Sequence, residues 1–117
     1  RVSATCVRVP VMVGHSEAVH VEFTHPISPN EVREILSGFP GVSVVDEPED
    51  AIYPMPVDAE GRDEVFVGRI RRDISHPNGI AIWLVSDNLR KGAALNGIQI
   101  AEEVLSRGLL LAPRRSA

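Results

Sequence analysis

Arg8 lies between Val7 and Val9 in a run of apolar and β-branched residues. A guanidinium has five N–H donors and no acceptor, so in an apolar setting it must find an anion or a carbonyl. Its planar fork matches a carboxylate. Further along, His15 stands between Gly14 and Ser16, where small neighbours let another group approach. Imidazole titrates near neutrality, which is what a general acid/base requires. Glu17 follows closely enough to orient that ring. Each of the three also has a plainer reading, as a solvated side chain on an edge strand, an exposed turn histidine and a surface charge. Spacing alone favours the plainer one.

The other reactive types are weaker candidates. Cys6 shares a strand face with Arg8, but no helix N-terminus follows it to activate the thiol, so it reads as a small core residue. His20 falls on the polar side of a strand, and His25 and His76 stand beside prolines in turns. Arg69 and Arg71 share one strand face and Arg72 the other. With Asp63, Glu64 and Asp73 nearby and no interleaved aromatics, they are expected to form solvated pairs rather than a nucleic-acid site. Asn88 stands beside the start of a helix rich in small residues (Gly92, Ala93, Ala94, Gly97), whose N–H groups could receive an anion or a cofactor amide. Small residues serve plain helix packing equally well. No glycine-rich phosphate or dinucleotide signature is present, and no Cys/His spacing suits a metal.

The elements that must position these residues belong to one domain. The chain has 117 residues, 44% of them apolar and 24% charged, enough to bury a core without staples. Twelve Lys+Arg against 16 Asp+Glu give a net charge of −4, the wrong sign for binding by phosphate neutralisation. A single cysteine cannot form an internal disulfide, which fits a reducing compartment. No apolar run approaches the ~18 residues of a membrane span and no secretory leader pattern is visible, so a cytoplasmic protein is expected. The sequence runs from Arg1 straight into strand-like residues, as a piece of a longer chain would.

Residues 2–13 read as a strand, with Pro10 placing it at an edge or a bulge. Residues 18–24 alternate, Val19, Val21 and Phe23 against His20, Glu22 and Thr24. Ser28-Pro29-Asn30-Glu31 is a helix-start signature, followed by an apolar face of Val32, Ile35 and Leu36 and a stop at Gly38. Residues 42–45 form a short strand, 46–63 an irregular excursion, and 64–72 a further strand. A turn at 76–79 leads into 80–85, apolar enough for a central strand. A helix over 89–107 carries Ala94, Ile98, Ala101 and Leu105 on one stripe and stops at Gly108. The order predicts an α+β fold, a mixed, largely antiparallel sheet with helices on one face, whose other face needs a partner.

Three ordered segments carry a resemblance. Val7-Arg8-Val9-Pro10-Val11 with Gly14-His15-Ser16-Glu17, then Val67-Gly68-Arg69-Ile70-Arg71-Arg72-Asp73, then Asp87-Asn88-Leu89-Arg90-Lys91-Gly92-Ala93-Ala94-Leu95-Asn96 closely resemble the C-terminal part of the bacterial aspartate-semialdehyde dehydrogenase family. The similarity extends through Val65-Phe66 and Ile98 to Glu102. It implies reductive dephosphorylation of L-aspartyl 4-phosphate to L-aspartate 4-semialdehyde with NADP and phosphate, in lysine, methionine and threonine biosynthesis. In the family a cysteine thiolate forms an acyl-enzyme that takes a hydride from the nicotinamide. By motif match His15 is the acid/base, Arg8 clamps the substrate carboxylate, and Asn88 touches the nicotinamide end of the cofactor.

The family's Asn-Cys nucleophile motif and glycine-rich nucleotide-binding start have no counterpart in these residues, and Cys6 is not in the nucleophile's context. Residues 1–117 are therefore expected to be the C-terminal substrate-binding and dimerisation domain, with NADP bound mainly by an N-terminal domain outside them. Taken alone they are expected to be inactive. The implied fold is like the C-terminal domain of glyceraldehyde-3-phosphate dehydrogenase, forming a homodimer through the sheet face. Two alternatives remain open: a non-enzymatic dimerisation or small-carboxylate-binding module, and part of the related N-acetyl-gamma-glutamyl-phosphate reductase.

Overall fold

The computed structural model describes residues 1–109. In chain order the elements are β1 (His15–Glu22), α1 (Pro29–Ser37), β2 (Val42–Val44), a 3-10 turn (Pro48–Asp50), the single turn α2 (Pro56–Ala59), β3 (Val65–Arg72), β4 (Gly79–Ser86), a π-helical turn (Arg90–Ala94) and α3 (Leu95–Ser106). The strands form one sheet in the order β1-β4-β3-β2. β4 pairs antiparallel with β1 and with β3, and β2 joins β3 in parallel. The expected mixed, largely antiparallel α+β sheet is present, with the apolar run 80–85 at its centre.

β4 has neighbours on both edges and carries apolar side chains to a cluster on each face. On one face Ile80 packs with Val67 and Ile70 of β3 and Val32 of α1. On the other, Val85 packs with Phe66 of β3, Ala59 of α2, Trp83 and Val45. α1 begins as its sequence predicts. Ser28 Oγ accepts from the Glu31 amide, and the Glu31 carboxylate accepts from the Ser28 amide, which satisfies two otherwise orphaned donors. Of its expected apolar face, Val32 and Leu36 reach the core, whereas Ile35 is exposed.

The excursion 46–63 is ordered against the second face. Trp83 Nε1 donates to the Pro54 carbonyl at 2.9 Å, and Pro54 is fully buried. The backbone crosses β3 so closely that a Cβ on Gly68 would sit 2.3 Å from the Val45 carbonyl oxygen and 2.5 Å from Pro54 Cδ. Beside this crossing the β3–β4 register shifts between Gly68 and Arg71, and Arg69 takes the left-handed conformation, φ 52°. A bulge leaves backbone donors without ladder partners. Asp46 supplies the acceptors: Oδ1 takes the Arg69 N–H at 2.6 Å, and Oδ2 takes the Ile70 N–H at 3.2 Å and Arg33 Nε at 2.7 Å. Arg33 completes the knot by donating to the Ile70 carbonyl.

Two expected elements differ. Residues 2–13 form no strand, and Val2, Val7, Val9 and Met12 are exposed. Richness in β-branched residues alone makes no strand: no described neighbour offers this segment a ladder, and Pro10 has no donor to give one. The predicted helix 89–107 is π-helical over Arg90–Ala94 before α3 begins. α3 buries no residue, and Ile98 and Leu105 of the predicted stripe are exposed. That face has nothing to pack on among the described residues.

The β3–β4 turn is closed by Asp73, which accepts from the Ser75 amide and hydroxyl at 2.8 and 2.7 Å and lies 2.6 Å from His20 Nδ1. These hydrogen bonds, Ser75's first and His20's second, hold its carboxyl well below the usual carboxylate range. A lowered native pKa stabilises fully above the unfolded value, and the contribution is lost as pH falls through the native one. Stability of the wild type should therefore drop as pH falls below about 4, more steeply than in Asp73→Asn. Parallel acid-unfolding curves for the two proteins would contradict this.

The Asp46 side chain is 2% exposed, and removing it strands two backbone donors and a guanidinium at once. Asp46→Ala should cost roughly 2–4 kcal/mol in urea unfolding. A loss below about 0.5 kcal/mol, the ordinary range for surface substitutions, would show that the bulge is held by something else.

Candidate functional site

The register of β1 on β4 determines what meets at one end of the sheet. His15, the first residue of β1, is opposite Ser86, the last of β4. Asp87 and Asn88 follow Ser86 directly, so the chain leaving β4 turns beside the chain entering β1. Gly14 N–H donates to Asn88 Oδ1 at 2.8 Å. Because the amide can only donate, the carboxamide oxygen must face it, which leaves the Asn88 Nδ2 donors uncommitted among the described residues. Asn88 itself is exposed.

Gly14 is required at its position. Its φ is 109°, and a Cβ there would lie 2.9 Å from Cβ of Pro56, the first residue of α2. Only glycine adopts that backbone without strain. On the other side of the corner, Asp87 is 3% exposed. Its Oδ1 accepts from the Leu89 and Arg90 amides at 2.7 and 3.0 Å, and its Oδ2 from the Gly61 amide at 2.8 Å. Gly61's hydrogen bond, followed by those of Arg90 and Leu89, outweighs the opposing effect of burial and lowers the Asp87 pKa. The carboxylate stays charged and caps the turn that follows.

That turn is π-helical because its bonds skip a residue: Gly92 N–H reaches the Asp87 carbonyl and Ala94 N–H the Leu89 carbonyl. The expectation that these N–H groups receive an anion is corrected, since the Leu89, Arg90, Gly92 and Ala94 amides are already taken. Among the described residues a Cβ on Gly97 would meet nothing within 4 Å, and one on Gly92 would make only ordinary contact with Asn88 Cβ at 3.6 Å, so neither glycine is required for close packing.

His15 Nε2 lies 3.0 Å from Glu17 Oε1, both side chains being more than half exposed. Glu17 does stand where it can orient the ring. Of the three predicted site residues, His15 and Asn88 are brought together through Gly14. Arg8 is not: it is exposed in the strandless segment, and among the described residues its side chain has no hydrogen bond or ion pair to hold it. Cys6, read as a core residue, is exposed, for the same lack of a neighbouring strand.

The arginine cluster also differs from expectation. Asp63 pairs with Arg90, Glu64 with Arg62 and Asp73 with His20, so these acids do not neutralise Arg69 or Arg71. The bulge carries Arg69 over the Tyr53 ring, 5.4 Å from its centroid, and Arg71 donates to the Arg69 carbonyl. Sequence reasoning missed Asp87 and Pro56. The signal for Asp87 was present, a short acidic side chain between a buried strand and a helix, which is the N-cap pattern. Pro56's part rests on a contact spanning 42 residues, from Gly14, that no local pattern announces. Among the described residues no group of three or more His, Cys, Asp or Glu could hold a metal, and no helix is long and apolar enough to cross a membrane.

Sheet and corner together define a class: an α+β domain that presents an imidazole and a carboxamide at one end of its sheet. Comparison with known proteins then identifies the family. Residues 1–91 match the semialdehyde dehydrogenase dimerisation domain, and the chain belongs to that family. It is 56% identical over 110 residues to an aspartate-semialdehyde dehydrogenase of Aquifex aeolicus and 53% identical over 110 residues to one of Synechocystis, covering 94% of this chain and 32% of each relative. The chain thus spans about a third of the length of these relatives. Among solved structures, aspartate semialdehyde dehydrogenase II of Vibrio cholerae complexed with ASA matches with a TM-score of 0.80 and 50% identity over 87% of this chain and 30% of that one. The Candida albicans enzyme with NADP matches with a TM-score of 0.69 and 28% identity over 88% of this chain and 33% of that one.

Gly14→Ala tests the corner directly. It should cost about 1–3 kcal/mol through backbone strain and the Pro56 clash, read as a lowered urea midpoint at unchanged m-value. A glycine that merely fills a loose turn would tolerate alanine at no cost.

Proposed function

We propose that residues 1–117 are the substrate-binding and dimerisation domain of an NADP-dependent aspartate-semialdehyde dehydrogenase, which reductively dephosphorylates L-aspartyl 4-phosphate to L-aspartate 4-semialdehyde. The observation that carries the reading is the Gly14 N–H to Asn88 hydrogen bond. It joins, in space, two of the segments that resemble the family. The relatives and solved structures named for this activity support the same reading.

His15 acts as the acid/base. The Glu17 carboxylate favours a proton on Nε2, the nitrogen it faces, which leaves Nδ1 a lone pair able to take a proton and return it. Arg8 receives the substrate carboxylate. Its guanidinium has no internal partner to displace among the described residues, and a bidentate pair would orient the reacting carbonyl. Asn88 fits the nicotinamide end of the cofactor at one point: with its oxygen engaged by Gly14, its Nδ2 is a donor suited to a carboxamide oxygen. When bound, NADPH supplies the hydride. A homodimer through the sheet completes the reading, using the face that bears Arg69, Arg71 and Trp83, and the protein is placed in the cytoplasm, with amino-acid biosynthesis as its setting.

The test is steady-state kinetics of the full-length protein containing these residues, with aspartate 4-semialdehyde, phosphate and NADP. His15→Asn should lower kcat by roughly 10² or more with KM little changed, the signature of a lost general base. Arg8→Ala should act mainly through KM for the semialdehyde. Wild-type turnover in His15→Asn, or a preference for N-acetylglutamate semialdehyde as substrate, would refute the assignment.

A further inference from the structure

We propose that Asp87 is a positioning residue: by locking the corner after β4 it makes Asn88 hold the Gly14 amide, and so determines how His15 leaves the turn. The inference rests on the reading of His15 as the acid/base. Its basis is a closed circuit of contacts around that residue. Asn88 holds Gly14, Gly14 lies against Pro56 at the start of α2, the chain after α2 brings the Gly61 amide to Asp87, and Asp87 is bonded covalently to Asn88.

The carboxylate is the only polar side chain in this circuit that reaches two separate segments. One oxygen takes the Leu89 and Arg90 amides, and the other takes Gly61, 26 residues away. An ordinary helix cap needs only the first pair. The second oxygen fastens the cap to the segment carrying Pro56, whose ring is the surface Gly14 rests on. With all three N–H donors satisfied and the carboxylate buried, the corner has little freedom to rotate. Asn88 therefore presents its oxygen to Gly14 from a fixed origin. The His15 side chain is exposed and, among the described residues, tied only to Glu17, two residues away, so its placement depends on the backbone that enters β1.

The experiment uses the full-length protein containing these residues, assayed with aspartate 4-semialdehyde, phosphate and NADP. Asp87→Asn keeps the shape but replaces one acceptor oxygen with an NH2 group facing an N–H. It should lower kcat about 10- to 100-fold, the scale expected for a misplaced catalytic group, with semialdehyde KM within about twofold. In a His15→Ala background the same change should have no further effect on the residual rate, because Asp87 acts through His15. Should Asp87→Asn fail to fold, Asp87→Ser serves instead: it retains a cap for the Leu89 and Arg90 amides while releasing Gly61. An equal fold-loss in both backgrounds, a loss confined to KM, or no loss at all overturns the proposal. Full turnover in His15→Ala alone instead refutes the acid/base reading, and the positioning role with it.

Discussion

The antiparallel ladder between β1 and β4 is the interaction on which the rest depends. It sets His15 opposite Ser86, so the start of one strand and the end of its neighbour share a corner. β4 can hold that register because it is buried on both faces and paired on both edges. A slip of one residue would turn Val19 and Val21 outward and His20 and Glu22 toward the α1 face. The cost of burying those polar groups keeps the register single. A geometry at the sheet's end is thus maintained by apolar burial in its middle.

A second constraint acts on the sheet's other edge. The excursion after β2 crosses β3 where Gly68 has no side chain, and the strand accommodates the crossing by a bulge at Arg69. The bulge exposes backbone donors, and Asp46, the residue that opens the excursion, accepts them. The same crossing delivers Pro54 to Trp83 and then Pro56 to Gly14. The apparent loop therefore does two jobs: it covers part of the face that α1 leaves open, and it forms one wall of the corner. Its Asp, Glu, Pro and Gly content reads as solvent-facing, yet Pro54 and Ala59 are among the most buried residues of the chain.

What was legible in the sequence follows from the range of the forces involved. The central strand, the Ser28–Glu31 capping box and the 76–79 turn depend on neighbours within a few residues, and each is present. The strand expected over 2–13 depends on a ladder partner that β-branched composition cannot specify. The left-handed Arg69 was hidden because glycine normally marks such a position. Here an arginine is held there by a carboxylate 23 residues away in sequence. His15 and Asn88 stand in segments that resemble the family, while the group that joins them, the Gly14 amide, has no side chain for a motif to carry. Arg8 stands in such a segment too, but the described residues supply nothing that holds it beside the corner.

The corner also explains why a carboxamide stands at position 88. Gly14 presents one N–H and needs one acceptor, a demand that serine or aspartate could meet. A serine hydroxyl that accepts from Gly14 has a single donor left, on the same atom. An aspartate has none, and a second carboxylate beside Asp87 would add like-charge repulsion to a corner that already holds one anion. Asparagine separates the functions onto two atoms, an oxygen turned inward to the backbone and an NH2 group left free. The inward bond fixes the rotamer, so the outward donors keep one direction without further support. The inward acceptor and the outward donors are thus coupled through a single amide plane, so a group that engaged the NH2 from outside would act on the same plane that holds the turn before His15.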